Sequence, residues 1–302
     1  MQGSSTKLVW YMSGASSRFD IPVYQRNYDW RERNCRQLYD DLLTIIRENR
    51  KTHFFGSIIS ILDHYGSEVE FLIIDGQQRL TTISLLCLAM YNLLRSRSGL
   101  CEEQSYLATC LWERFLVDEQ VRARKNIKMR NIKVDQDAYL KLFTDDPGQF
   151  DMDSRITQNY LYFYNRIQQQ EIPIDMLYEA ITRLEIIKIT LDTDDDPQLV
   201  FESLNSTGLA LEDADKIRNF LFMGLTRAEQ KEYFENYWMP LQAITKNELT
   251  PAIYRYLKRY YKEDIVYRDV YFDFKDYYHE FGLTKKAVLE KLLAYVKEIY
   301  KV

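Results

Sequence analysis

The clearest hydrophobic pattern in the chain is a pair of apolar runs followed by a long apolar helix. Residues 53–62 and 69–74 are almost continuously apolar, which predicts two strands covered on both faces. The polar residues 63–68 between them predict a hairpin connection. From residue 77 to about 96, apolar residues recur at helical spacing. The pattern therefore predicts a largely buried helix that starts directly after the second strand.

Helical patterns dominate the rest of the chain. The other predicted elements are an extended arm at 19–30, a helix at 34–49, a mainly helical region at 97–182, a strand at 185–191, a helix from Pro197 to about 204, a polar loop at 205–215 that leads into a further helix, and amphipathic helices at 228–240, 251–262 and 285–300. Together they predict the α+β class, with a small mixed sheet and a mainly helical second lobe.

Composition narrows the class of protein. A formal net charge of −5 argues against a protein that coats nucleic acid through its overall charge, and it leaves local contacts open. The four cysteines lack C-x-x-C spacing and the three histidines are scattered, so neither a zinc site nor a disulfide framework is predicted. No segment has the pattern of a secretion signal or a membrane span. We therefore expect a soluble cytoplasmic protein with reduced thiols.

The residues between the second apolar run and the long helix carry the candidate chemistry. The first N–H groups of a helix have no intrahelical partner, and Gly76 would let a ligand approach them closely. Arg79 offers a guanidinium that matches phosphate oxygens, and Thr81 and Thr82 add hydroxyl groups. Asp75 would repel a bare phosphate, so its presence indicates a bridging Mg²⁺ or a water-orienting role. The pattern is typical of a site for a metal-bound nucleotide.

A purely structural interpretation of the same residues stays open at this point. Asp75 could cap the helix, Arg79 could pair with a surface carboxylate, and the glutamines at 77 and 78 could be solvated polar residues.

The most basic stretch of the chain contains no acidic residue. It holds Arg122, Arg124, Lys125, Lys128, Arg130 and Lys133. Six like charges in this stretch could contact the phosphates of DNA or of a nucleotide, but a solvated loop and strand is the commoner explanation of such a run.

Four sequence blocks carry a family resemblance. They lie at 21–26 (IPVYQR), 55–58 (FGSI), 75–82 (DGQQRLTT) and 201–208 (FESLNSTG), in this order. The combination resembles the N-terminal domain of GmrSD-type restriction proteins over roughly residues 8–224. The resemblance implies a core fold similar to ParB and sulfiredoxin, and it implies binding and hydrolysis of a nucleoside triphosphate, with Mg²⁺, in defence against phage DNA.

The resemblance also assigns roles to individual residues. It implies catalytic roles for Asp75, Gln77 and Gln78, with Asp75 as the metal ligand. The implied nucleotide contacts are Arg26, Gly76, Arg79 and, less directly, Tyr24, Gln25, Thr81, Thr82 and Asn205. A DNA contact is expected at Arg122, Arg124, Lys125, Lys128 and Arg130. The alternative function is a ParB-like, nucleotide-gated DNA-binding protein without significant turnover. A sulfiredoxin-like reductase is disfavoured because no cysteine lies in the 75–79 block.

The resemblance suggests a domain organisation and partners. We expect a nucleotide-binding core at 1–97 that is completed by 183–224, a helical insertion at 98–182, and a helical region at 225–302. Larger relatives continue into an HNH-type nuclease domain, and the histidines here lack the pairing that such a nuclease needs. We therefore expect this chain not to cut DNA alone, and to be a fragment or to work with a nuclease partner. Formation of homo-oligomers stays open at this point.

Overall fold

The computed structural model describes residues 1–14, 17–65, 68–118, 127–192, 194–197, 199–200, 212–246 and 248–301. The strands are β1 (Gln2–Lys7), β2 (Ser17–Asp20), β3 (His53–Tyr65), β4 (Glu68–Asp75), β5 (Met129–Arg130) and β6 (Leu184–Leu191). The helices are α1 (Leu8–Met12), α2 (Glu32–Arg47), α3 (Gln77–Arg95), α4 (Glu102–Leu111), α5 (Lys133–Leu142), α6 (Arg155–Gln168), α7 (Ile174–Thr182), α8 (Asp213–Phe222), α9 (Arg227–Tyr233), α10 (Met239–Ile244), α11 (Leu249–Tyr260), α12 (Val270–Glu280) and α13 (Lys285–Tyr300). Two π-helical turns, Trp112–Leu116 and Phe234–Trp238, extend α4 and α9.

The six described strands form one mixed sheet in the order β1-β6-β3-β4-β2-β5. The hairpin between β3 and β4 is antiparallel, as predicted, whereas β2 lies parallel to both β4 and β5. The carboxyl ends of β4, β2 and β5 therefore meet at one edge of the sheet. This mixed sheet with its helices confirms the predicted α+β class.

Helix α3 is the centre of the hydrophobic core. Its residues are buried on every side of the helix, from Gln77 to Leu94, and it packs against α4 and α6. A helix that is apolar all round needs such cover on every side. This burial fixes the start of α3 relative to the strand that precedes it.

The chain divides into two compact units. The first comprises residues 1–22 and 27–195, and the second comprises residues 23–26 and 196–302. The first unit contains all six described strands and α1–α7, so residues 98–182 lie in the same unit as the sheet. The second unit contains α8–α13 and the short segment Val23–Arg26.

Strand β1, helix α1 and helix α12 were absent from the sequence-based prediction. Strand β1 is exposed and polar, and it is held as an edge strand by pairing with β6. It has no hydrophobic alternation because neither of its faces is buried. Helix α12 was also missed, and its buried face consists of Val270, Tyr271, Phe274 and Tyr277.

Candidate nucleotide-binding site

The junction between β4 and α3 has the geometry that the sequence predicted. Strand β4 ends at Asp75, Gly76 has a left-handed backbone with φ of +94°, and α3 begins at Gln77. The first hydrogen bond of the helical ladder runs from Leu80 N to Gly76 O at 3.1 Å. Among the described residues, no side-chain cap is present at this helix start. The capping role considered for Asp75 is therefore wrong, and the positive end of the helix dipole opens at this junction.

Strand β3 supplies the surface against which the junction packs. A Cβ on Gly76 would lie 3.0 Å from Ile58 Cγ1 and 3.1 Å from Ser57 O. Gly56, with φ of +124°, lies beneath the guanidinium of Arg79, because a Cβ there would be 2.7 Å from Arg79 Nε. Arg79 also donates from Nη1 to Ser57 O at 3.3 Å. The 55–58 and 75–82 blocks thus form one packed unit, in which two glycines make the close approach possible.

Two partly buried charges flank the glycine. In the part of the chain that the structure describes, the carboxylate of Asp75 makes no hydrogen bond or ion pair, and the guanidinium of Arg79 has no carboxylate partner. The surface ion pair considered for Arg79 is therefore wrong within those residues. A partly buried charge is costly unless it is paired. The negative charge of Asp75 and the positive charge of Arg79 together suit a ligand that has both a cationic and an anionic group.

Gln78 holds the main chain of a neighbouring segment. Its Oε1 accepts hydrogen bonds from Asp29 N at 2.8 Å and Trp30 N at 3.1 Å, and its Nε2 donates to Asn27 O at 3.2 Å. The side chain is buried, at 7% exposure. These bonds give Gln78 a positioning role for residues 27–30. Gln77, at 8% exposure, is also buried.

The two predicted threonine contacts face the protein interior. Thr82 Oγ1 lies 2.7 Å from Gln78 O, to which it donates, and 2.6 Å from Tyr28 Oη. Thr81 Oγ1 donates to Asn131 Oδ1 at 3.0 Å. Both threonines are at most 1% exposed. Their hydroxyls fix the first turns of α3, and the prediction that they contact a nucleotide directly is corrected.

Side chains far along the chain complete the anchoring of residues 27–30. Asn159 Nδ2 donates to Trp30 O at 2.7 Å and lies 3.0 Å from Tyr28 Oη. Asp135 Oδ2 accepts from Tyr28 N at 2.7 Å. No local sequence signal marks Asn159 or Asp135, because each contacts this segment from more than 100 positions away.

Asp135 makes stability depend on pH. Burial raises the pKa of its carboxyl to about 6, and the hydrogen bond from Tyr28 N offsets this only in part. The folded state therefore holds the proton more tightly than the unfolded state, so stability falls as the pH rises from about 4 to about 6. We expect Asp135→Asn, which keeps an oxygen for Tyr28 N, to be more stable than the parent at pH 7.5 by at most about 3 kcal/mol.

Urea unfolding of parent and Asp135→Asn proteins at pH 4 and pH 7.5 measures this difference. The gain should disappear at pH 4, where both side chains are neutral. An equal gain at both pH values would show that burial of the ionised carboxylate is not its cause.

The 21–26 block spans both units. Tyr24, Gln25 and Arg26 lie in the second unit, where Tyr24 and Gln25 are buried. Arg218 Nε donates to Tyr24 O at 2.8 Å, and its Nη2 pairs with Asp215 Oδ1 at 2.9 Å. Sequence reasoning missed Arg218, which is 1% exposed and whose pKa burial lowers. A buried arginine on an amphipathic helix looks like any solvated charge until its surroundings are known.

Four of the predicted site residues are not covered by the described ranges. Asn205, Arg122, Arg124 and Lys125 lie outside the residues that the structure describes.

The described part of the basic stretch corrects the expected DNA contact. Lys128 is 2% exposed, and its ammonium donates to Met12 O at 3.0 Å and Arg114 O at 3.1 Å. Burial lowers its pKa to about 8. Arg130 pairs with the buried Glu70 at 3.2 Å. Lys128 is thus unavailable to DNA, and the charge of Arg130 is compensated within the protein.

The donor set fits a metal ion that arrives with a nucleotide. Among the described residues no cluster of three histidine, cysteine or acidic side chains could hold a metal ion alone. Mg²⁺ in nucleotide sites is commonly held by one or two carboxylates together with substrate phosphates. Asp75 alone at the junction fits that arrangement.

The cysteines do not support thiol chemistry at the junction. All four are free, and Cys35, Cys87 and Cys110 are buried. Burial raises the pKa of Cys35 to about 12 and also raises that of Cys87 in α3. These two thiols therefore stay protonated and unreactive at neutral pH.

The fold and the junction together define an α+β protein in which a glycine turn joins a central strand to a buried helix. The chain belongs to the family of the GmrSD restriction endonuclease N-terminal domain, whose model matches residues 10–222. Its membership identifies the chain as a component of a restriction system, a setting that suggests DNA and a nuclease as partners. A comparison with curated proteins gave no match. Among the described helices, none has the length and apolar character needed to span a bilayer.

Proposed function

We propose that this chain is a nucleotide-binding, nucleoside triphosphate-hydrolysing regulatory module of its restriction system, and that it switches a nuclease supplied by another domain or subunit. The proposal depends mainly on one observation: Asp75 and Arg79 are partly buried at the same helix start, and neither has a partner of opposite charge among the described residues. Family membership supports the biological setting.

The first-unit residues have distinct proposed roles. Arg79 and the N–H groups at the start of α3 bind phosphate oxygens, since both present donors in a region of positive potential. Gly76 lets the phosphates approach the backbone. Asp75 holds a water molecule or Mg²⁺, which when bound would offset the charge of the triphosphate. Gln77 is the candidate for orienting the attacking water. The nucleotide contacts of Tyr24, Gln25 and Arg26 stay predictions.

Calorimetry with each nucleoside triphosphate and Mg²⁺ tests the binding site. We expect Arg79→Gln to weaken binding by roughly tenfold to a hundredfold, because a charge-assisted hydrogen bond contributes about 1.5–3 kcal/mol. Arg95→Gln is the matched control, since Arg95 lies in the last turn of the same helix, about 24 Å from Arg79 at 1.5 Å per residue. Equal affinity of the two variants would contradict the site.

A nucleotide-gated DNA-binding protein without significant turnover is the second candidate. One observation favours it: the amide of Gln78 is hydrogen-bonded to residues 27–30, so Gln78 has a positioning role in place of the catalytic one. Phosphate release by the parent protein, measured with and without DNA, separates the two candidates. Sustained release supports hydrolysis, and tight binding without release supports the gated alternative.

A further inference from the structure

A cavity lies in the first unit beside Trp30, one of the residues whose main chain Gln78 holds. It has a volume of about 600 Å³ and is open to solvent. Its lining residues are Trp30, Arg31, Glu32, Arg155, Gln158 and Asn159. The volume is within the range of ligand sites in proteins.

The charged residues that line the cavity are two arginines, Arg31 and Arg155, and one carboxylate, Glu32. Glu32 pairs with Arg36 at 2.6 Å, and Arg155 pairs with Asp29. Arg31 is exposed, and among the described residues its guanidinium makes no hydrogen bond or ion pair. Helices α2 and α6 also begin at this cavity, at Glu32 and Arg155, and their N-terminal dipoles add to the positive potential.

A tryptophan, Trp30, lines the same cavity as these arginines. Trp30 is partly buried against the hydrophobic core and lines the cavity. Its backbone is fixed on both sides, because Trp30 N donates to Gln78 Oε1 and Trp30 O accepts from Asn159 Nδ2. An aromatic side chain on an anchored backbone, in a cavity that arginines also line, is a combination that can bind a stacked base and its phosphate in single-stranded nucleic acid.

We propose that this cavity binds a nucleotide unit of single-stranded or locally unpaired DNA, with a backbone phosphate at Arg31 and a base against Trp30. The partner is DNA because the surface combines cations with an aromatic ring, and because the chain belongs to a restriction-system family. Neither Lys128 nor Arg130 lines this cavity, and of these two residues Lys128 is buried and Arg130 is paired with Glu70.

The test measures binding of a fluorescein-labelled oligothymidine by anisotropy across a series of salt concentrations. We expect Arg31→Gln to weaken binding at least fivefold. The salt slope, which is the steepness with which the logarithm of the binding constant falls with the logarithm of the salt concentration, should decrease by about 0.7, the value for one lost contact to single-stranded phosphate. Arg47→Gln is the matched control, because Arg47 is exposed in the last turn of the same helix, about 24 Å away. It should bind the oligonucleotide as the parent does.

Substitution of the aromatic ring tests the base contact separately. Trp30→Leu should weaken oligonucleotide binding at least fivefold with an unchanged salt slope, since stacking does not involve counterion release. Trp30→Phe keeps a ring and should restore most of the affinity. If Trp30→Leu lowers stability, the surface substitution Arg31→Gln still decides the question.

Three outcomes would overturn the assignment. They are no oligonucleotide binding by the parent at low salt, equal binding by the Arg31→Gln and Arg47→Gln variants, and competition by free ATP at the cavity as effective as that by the oligonucleotide. The last outcome would indicate a mononucleotide site instead. Arg79→Gln should leave oligonucleotide binding unchanged, so this proposal and the proposed triphosphate site can fail independently.

Discussion

Replacement of Arg218 by leucine is expected to destabilise the second unit by about 3 kcal/mol, because loss of one partner of a buried pair leaves the other charge uncompensated. Arg218 is the donor to Tyr24 O and the partner of Asp215, and its guanidinium lies 5.9 Å from the centre of the Trp238 ring. Asp215 is 25% exposed, so water partly compensates its charge and the expected loss is at the low end of the usual range.

Hydrogen exchange of the α8 amides measures this loss in the second unit alone. Arg218→Lys keeps the charge but loses the Nε donor, so an intermediate effect is expected. Arg268→Leu is the control, because Arg268 is 84% exposed in the same unit and surface substitutions usually change stability by less than about 0.5 kcal/mol. If Arg218→Leu exchanged no faster than the control, the bond to Tyr24 would not anchor residues 23–26.

Replacement of Gly76 by alanine is expected to destabilise the first unit by about 2–4 kcal/mol, through strain at positive φ and overpacking together. The added methyl would meet the backbone of β3 at Ser57 O and Ile58 Cα, at 3.1 and 3.2 Å. Backbone atoms of a central strand cannot move aside as the end of a flexible side chain can. The start of α3, and with it Arg79, should therefore shift.

A matched glycine separates the two causes. Gly99 also has a positive φ, of +74°, but a Cβ there would meet nothing within 4 Å. Gly99→Ala should cost only the backbone strain, about 1 kcal/mol. Exchange protection of the α3 amides in the two variants measures the difference. If both substitutions had the same effect, the close approach of Gly76 to β3 would be energetically unimportant.

Hydrophobic periodicity predicted the elements that bury a continuous apolar face. The hairpin β3–β4, helix α3 and strand β6 each begin within two residues of their predicted positions, because each has a clear apolar pattern. Strand β1 has no such pattern, since it is exposed and polar and is held to β6 by pairing along the sheet edge. Only the observed pairing of these residues with β6 identifies them as a strand.

Side-chain roles were harder to predict, because spacing along a helix does not tell which groups already have partners. Gln78 and Thr82 lie in the same short block as Arg79, yet Gln78 is bonded to residues 27–30 and Thr82 to Tyr28. Lys128 belongs to a run of basic residues that is typical of a solvated surface, and its ammonium is nevertheless buried against two carbonyls. Such contacts depend on chain segments that are distant in sequence.

The sequence by itself determined the α+β class, the strand-to-helix junction at Asp75–Gln77 and the family. These properties depend on local pattern: an apolar run, a glycine, and a helix that must be buried. Tertiary structure alone decided which polar side chains of that junction hold the protein together and which stay available for a ligand. The physical reason is that a hydrogen bond is satisfied in space, often by a residue more than 100 positions away, as Asp135 and Asn159 are from Tyr28.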